Sequence, residues 1–267
     1  MAPRLLSCFG KGSSSKVEAK GGTGTVSAEE KRRGGAVVVE LFTSQGCVES
    51  TAAELLVSRL GRGDFELQVP VVILAFHVDY WDYMGWKDPY ASSLFTVRQK
   101  AYVEAFQLDA IFTPQIVVHG SSHCVGNDEN AILSAIADTP RYPSPSFQAT
   151  FERPTSDSLQ VTLTGALQTK VDDGGVDVMV ALYQSGLVTD CPGGKNKGRV
   201  ISNDYVVRRL EKLLSVKDIP AKKVLTGTLS FTLWEEFNTN KCGLAILVQD
   251  GSRSICGAQN FPLPDSL

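Results

Sequence analysis

The residue with the most chemistry to offer is Cys47, in the stretch VVVELFTSQGCVES (Val37–Ser50). Apolar residues run up to a turn, the turn carries the cysteine, and VESTAAELLVSRLG starts a helix directly afterwards. Ala52, Leu55, Leu56 and Leu60 have helical spacing, and Gly61 is the expected stop. A thiol at the first turn of a helix faces unpaired N–H groups and the positive end of the helix dipole, both of which stabilise its anion. Such placement brings a cysteine pKa from about 8.5 into the range of roughly 3.5–7.5, where the thiolate attacks disulfides. Gly46 permits the tight turn, Ser50 can donate its hydroxyl to the sulfur, and Glu49 opposes ionisation. The expected chemistry is thiol–disulfide exchange, with one restriction: Ser50 cannot attack a mixed disulfide as a second thiol would.

Three other groups invite chemistry. FHVDYWDYMGWKDP gathers His77, Asp79, Trp81, Asp82 and Trp86 at the end of a strand, beside Cys47. Its aromatics could wall a substrate groove, and His77 or Asp79 could exchange protons with the thiol. The structural alternative is that Trp81 and Trp86 are packing residues and His77 a satisfied core residue. His119, His123 and Cys124 bracket a turn but lack a fourth ligand, so no metal is expected there. CPGGKNKGR (Cys191–Arg199) has three glycines and three cations that could cup an anion, without the spacing of a phosphate loop. A basic turn contacting the first half of the chain is the simpler reading. Cys124, as a resolving thiol, would face Val117 at roughly 10 Å from Pro114. Cys242 and Cys256 flank one hairpin as buried thiols.

The positioning elements follow from pattern. AVVVELF (Ala36–Phe42) and VPVVILAFHV (Val69–Val78) read as buried strands. SLFTVRQKAYVEAFQL reads as a helix through Phe95, Arg98, Tyr102 and Phe106; Ile116–His119 and His123–Gly126 read as a hairpin; NDENAILSAIAD reads as a helix capped by Asn127 or Asp128. Strand, helix, strand, helix, hairpin, helix is the minimal thioredoxin arrangement. In it Pro114, in TPQ (Thr113–Gln115), occupies the place of a cis-proline that shapes the substrate groove beside Thr113. Beyond the proline-rich TPRYPSPS, five or six strands and one helix, DYVVRRLEKLLSV, predict an antiparallel β-sandwich-like unit. The expected division is a disordered arm over residues 1–35, a thioredoxin-like α/β domain over 36–140 and a β-rich domain over 146–262.

Over residues 36–260 the chain resembles a thioredoxin-like family of unknown function with bacterial members and a plant branch. The resemblance rests on ELFTSQGC, AFHVDYWDYMGWKDPYAS, TPQIVVHG, GGKNKGRVISNDYVVRRL and GLAILVQD. It implies the same two-unit layout. Most members carry a second cysteine at the position of Ser50 and a proline at that of Thr51, so this chain resembles a one-thiol variant. A one-thiol site can reduce glutathione mixed disulfides with glutathione as co-substrate, engage a protein thiol, or act as a silent binding module. No lysine precedes Cys47 in FTSQG to pair with a glutathione carboxylate.

Composition narrows the rest. A net charge of -3 and no basic block argue against nucleic acid or an anionic membrane as partner. No apolar run reaches the ~20 residues of a transmembrane helix. Six scattered cysteines without CxxC or zinc spacing suit a reducing compartment, the cytoplasm, with a plastid as the alternative. Acylation of Cys8 in LLSCFGK would anchor only weakly.

Overall fold

The computed structural model describes residues 34–265 and Leu267; residues 1–33 of the expected arm, Cys8 included, lie outside the described residues. Strand β1 (Val37–Thr43) is buried at all seven positions because both of its faces are covered. Val37, Val39 and Leu41 pack with Ala53, Leu56, Val57 and Leu60 of helix α1 (Ser50–Arg62) and with Ile132 and Ile136 of a later helix. Val38 and Phe42, on the other face, meet Phe95 and Tyr102 of helix α2 (Ser93–Ala105). A continuous β-branched run is what a doubly covered strand requires. Strand β2 (Val71–His77) pairs with β1 in parallel. Strand β3 (Gln115–Val118) pairs with β1 antiparallel, and β4 (Ser122–Val125) closes that edge. Helix α3 (Glu129–Asp138) follows, its N-cap Asp128 accepting from the Ala131 N–H.

The second half of the chain supplies β5 (Gln148–Thr155), β6 (Ser158–Ala166), β7 (Val176–Gln184), β8 (Leu187–Asp190), β9 (Val200–Asn203), β10 (Val206–Val216), β11 (Val224–Thr232), β12 (Cys242–Asp250) and β13 (Ile255–Pro262). Its main strands continue the sheet of the first half. One eight-stranded mixed sheet runs β13-β12-β7-β10-β2-β1-β3-β4, joined where Val206 of β10 pairs with Ala75 of β2. A three-stranded sheet, β11-β6-β5, packs Leu159, Val161 and Leu163 against Val180, Leu182, Leu244 and Ile246, and β8 with β9 forms a small pair.

This overturns the expected fold class. In place of a thioredoxin-like α/β domain followed by an antiparallel sandwich-like domain, the chain forms a mostly β structure built on one large mixed sheet with two small sheets. The error traces to DYVVRRLEKLLSV. Val206, Val207, Leu210, Leu213 and Leu214 have helical spacing, yet the segment is strand β10 along the edge of β7. Register shifts after Val207 and after Lys212 throw the two-residue alternation out of phase, and the result imitates a helical period.

Smaller corrections concern α1. It runs one residue past Gly61 and closes at Gly63, at φ 80°. Its inner face carries Ala53, Leu56, Val57 and Leu60, whereas Ala52 and Leu55 face outward. In the hairpin, Cys124 lies opposite Ile116 rather than Val117. Among the described residues no helix is long and apolar enough to cross a membrane.

One charge interrupts the core. Glu40, in the middle of β1, has no exposed surface. Its carboxylate takes two bonds from Arg98, Nε to Oε2 at 2.9 Å and Nη2 to Oε1 at 2.6 Å, and a third from the Tyr102 hydroxyl at 3.0 Å. Gln249 of β12 accepts from Arg98 Nη1 at 3.2 Å. Burial would weaken the Arg98 cation, but the adjacent Glu40 carboxylate outweighs it and raises the guanidinium pKa. Removing one member of such a pair leaves the other charged and unmatched, so Glu40→Ala is expected to lower stability by about 3–5 kcal/mol. Urea unfolding measures this, and a loss below about 1 kcal/mol would contradict the arrangement.

Candidate functional site

Strand β1 ends at Thr43, and the next four residues, Ser44–Cys47, make a turn that is wholly inside the protein. Each N–H of that turn has a partner. Ser44 donates to Ser50 Oγ (3.4 Å), Gln45 to Asp88 Oδ2 (2.8 Å), Gly46 to Ser44 Oγ (3.1 Å) and Cys47 to the Ser44 carbonyl (3.1 Å). The carbonyls of Gln45 and Cys47 both accept from Asn196 Nδ2, at 2.8 and 3.2 Å. The Gln45 side chain donates to Asn203 Oδ1 (2.8 Å) and Thr189 Oγ1 (3.1 Å), and it accepts from the Trp86 indole (3.1 Å). Gly46 is required: a Cβ there would meet the Trp81 Cβ at 2.8 Å.

Cys47 sits in this turn ahead of α1, whose first helical residue is Ser50 and whose N-cap is Glu49. Only 3% of its surface is exposed, and its Sγ donates to the Thr113 carbonyl at 3.6 Å. The Thr113–Pro114 peptide is cis. Ser50, expected to donate to the sulfur, instead accepts from Ser44 and so fixes the turn. Trp81 donates its indole N–H to Thr113 Oγ1 at 2.7 Å, which closes the wall beside the sulfur. Tyr80 stands there too; burial pushes its pKa up to about 12, with the nearby Cys47 among the lesser causes.

His77 is not at the sulfur. It is fully buried between two carboxylates, with Nδ1 at 2.7 Å from Asp88 Oδ2 and Nε2 at 3.5 Å from Glu54 Oε1. Burial penalises its charged form, but the charge and hydrogen bond of Asp88 and the charge of Glu54 carry its pKa above the ordinary value. Burial raises the Glu54 pKa, and the approach of His77, Thr43 and Asn203 offsets this only in part. Asp88 goes the other way: against the burial penalty, His77 and the N–H groups of Gln45 and Tyr90 hold its pKa low. Asp79 accepts from Thr96 of α2 at 2.6 Å and so serves the start of that helix. Sequence reasoning missed Glu54, Asp88, Gln45, Asn196 and Asn203. The signal for Glu54 was its place beside Ala53 and Val57 on the inner face of α1.

The remaining thiols and histidines are separate from this turn. Cys47, Cys124, Cys191, Cys242 and Cys256 are free, and burial lifts Cys124, Cys242 and Cys256 to about 11. His119 accepts from the Val38 N–H and stacks on Tyr142, while His123 lies against Phe106 and Phe112. Among the described residues no three His, Cys, Asp or Glu side chains are grouped to hold a metal ion.

The buried array predicts a pH dependence. A group with a raised folded pKa stabilises fully below its unfolded value and loses that contribution as pH rises through the folded one. His77 starts from 6.5 and Glu54 from 4.5, so both lose stabilising effect as the solution becomes basic. The low Asp88 pKa acts only at acid pH, below its unfolded 3.8. Thermal unfolding midpoints should therefore fall as pH rises above the ordinary histidine value of 6.5, and His77→Gln should flatten that fall. A rising wild-type profile would contradict the array.

Residues 38–249 match the model of a family described as Protein of unknown function (DUF1223). A protein from Agrobacterium tumefaciens known from its X-ray crystal structure is 25% identical, with a TM-score of 0.60 over 88% of this chain and 97% of that one. HBP35 of Porphyromonas gingivalis is 17% identical with a TM-score of 0.57 over 86% of this chain and 76% of that one, a likeness of fold alone. These neighbours are β-rich structures, and the family match carries no thioredoxin relationship. No curated protein matches the chain. With most of its length matched, from β1 to β12, the chain belongs to the DUF1223 family of proteins of unknown function.

Proposed function

We propose that this protein exchanges disulfides through one thiol, Cys47, with glutathione mixed disulfides or a protein thiol as partner. The observation that carries the reading is the buried polar structure built around the sulfur's turn: Asp88, Asn196, Asn203, Gln45 and Ser50 all serve to hold it. In the reaction Cys47 gives up its proton, its sulfur attacks one sulfur of the substrate disulfide, that S–S bond breaks, and the departing thiolate takes a proton. A second thiol, glutathione or the partner's own, then attacks the Cys47 mixed disulfide and restores the free cysteine. Ser50 takes no part in resolution. The free cysteines suit a reducing compartment such as the cytoplasm.

One observation favours a second reading. With 3% exposure, Cys47 meets substrate only when its surroundings open, and a silent binding module would have no need for that opening. The two readings separate in one assay. Reduction of a glutathionylated peptide by glutathione should be accelerated by the wild type, and Cys47→Ser should lose at least about tenfold of that acceleration. Equal rates for the two proteins would leave the binding module as the function.

A further inference from the structure

The loop Cys191–Arg199, which links β8 to β9, closes over the Cys47 turn from the far half of the chain. Two anchors fix it there. Asn196 Nδ2 bonds the Gln45 and Cys47 carbonyls, and Gly193 and Gly194 lie so close to Gly85 and Trp86 that a Cβ at either would strike them. Between these anchors, Lys195 extends its ammonium over the Trp81 ring, 5.1 Å from the centroid. Trp81 is the same side chain that abuts Gly46 and bonds Thr113, whose carbonyl holds the sulfur. Of the acidic groups around the turn, Asp88 is engaged by His77 and Gln45, Asp79 by Thr96, Asp82 by the Asp88 N–H, and Glu49 by Asn127, while Asp190, exposed at the end of β8, directly precedes the loop.

Lys195, Lys197 and Arg199 are exposed, and none forms an ion pair among the described residues. Arg199 also lines a groove of about 440 Å³ between α1 and β9, together with Thr51, Leu55, Arg62, Val200 and Asp204, whose carboxylate accepts from Ser58 and the Gly186 N–H. The groove reaches Thr51, the second residue of α1 and four residues after Cys47 in sequence. Leu55 and Val200 expose apolar surface in it, at 61% and 65%. Lys195, without an ion pair among the described residues, thus stands on the Trp81 side of the sulfur's turn, and Arg199 shares the groove with Asp204.

Resting on the redox reading of Cys47, we infer that its substrate class is the disulfides of small carboxylate-bearing thiols, selected by the cations of the Cys191–Arg199 loop. Lys195 is the specificity-determining residue nearest the sulfur. It attracts the carboxylate of the incoming thiol unit to the face of Trp81, while the groove with Arg199 takes the other end of the ligand. The covalent step is the exchange already written, and the cations change which disulfide arrives rather than how the bond breaks.

Two chromogenic disulfides of opposite character provide the test: dithiobis(nitrobenzoate), a dianion, and dithiodipyridine, which is uncharged at neutral pH. Cys47-dependent rates are taken as the difference between each protein and its Cys47→Ser counterpart, in low salt. Lys195→Glu should lower the anionic-to-neutral rate ratio on the order of tenfold, since reversing a charge near the site replaces an attraction by a repulsion. Lys195→Gln should fall between the two. The wild-type ratio should itself decline in about 0.5 M salt. The neutral probe's rate should stay within about twofold in every variant, which separates loss of selectivity from a disturbed loop. Cys47-dependent reaction with both probes at a ratio unmoved by Lys195→Glu overturns this inference and leaves the redox reading standing. No Cys47-dependent reaction with either probe overturns both.

Discussion

The turn Ser44–Cys47 leaves the centre of the sheet with its backbone polar groups inside the protein, and each must find a partner there. Water cannot supply these partners, so side chains do. A buried acceptor for the Gln45 N–H requires Asp88, and a carboxylate as deeply buried as Asp88 requires a cation or donor to stay charged. His77 is that donor, and its second nitrogen faces Glu54 on α1. The carbonyls of the turn require Asn196, which comes from the loop between β8 and β9. One short turn thereby fixes the identity of side chains on β2, α1, the segment after β2 and the second half of the chain.

The same demand explains why the chain forms one large sheet. Asn203 of β9 and Thr189 of β8 bond the Gln45 side chain, and Asp204 holds Ser58 of α1. These contacts need β10 to dock beside β2, where the Ala75 N–H donates to the Tyr205 carbonyl. A family match from residue 38 to residue 249 is what such a site predicts, because neither half alone completes the turn.

Legibility in the sequence followed the same physics. Strands β1 and β2 and helix α2 were legible because continuous or helical apolar patterns report burial directly. The hairpin of β3 and β4 was legible from its turn, to within one residue of register. Strand β10 was not, because its register shifts break the alternation on which strand reading depends. Cys47, Thr113 and Pro114 drew attention by type and are neighbours in space. Asp88, Asn196 and Asn203 did not, since a polar residue in a glycine- or aspartate-rich loop looks the same whether it faces solvent or a buried carbonyl. Glu40 and Glu54 are different. A carboxylate inside VVVELF, or on the inner face of α1, is a charge in an apolar setting, and such a charge announces an unseen partner, Arg98 in one case and His77 in the other.

What distinguishes the Cys47 site from its neighbours is an asymmetry of attachment. The turn's inner contacts, to Asp88 and Ser50, belong to the sheet and α1, and they are buried. Its remaining contacts come from Asn196, a buried residue of a loop whose cations are exposed, and from Trp81 in the segment after β2. Local opening in proteins takes the segments with the fewest buried apolar contacts, and Cys191–Arg199, rich in glycine and lysine, is such a segment. The exchange proposed for Cys47 therefore requires that loop to open, since only 3% of the cysteine's surface is exposed.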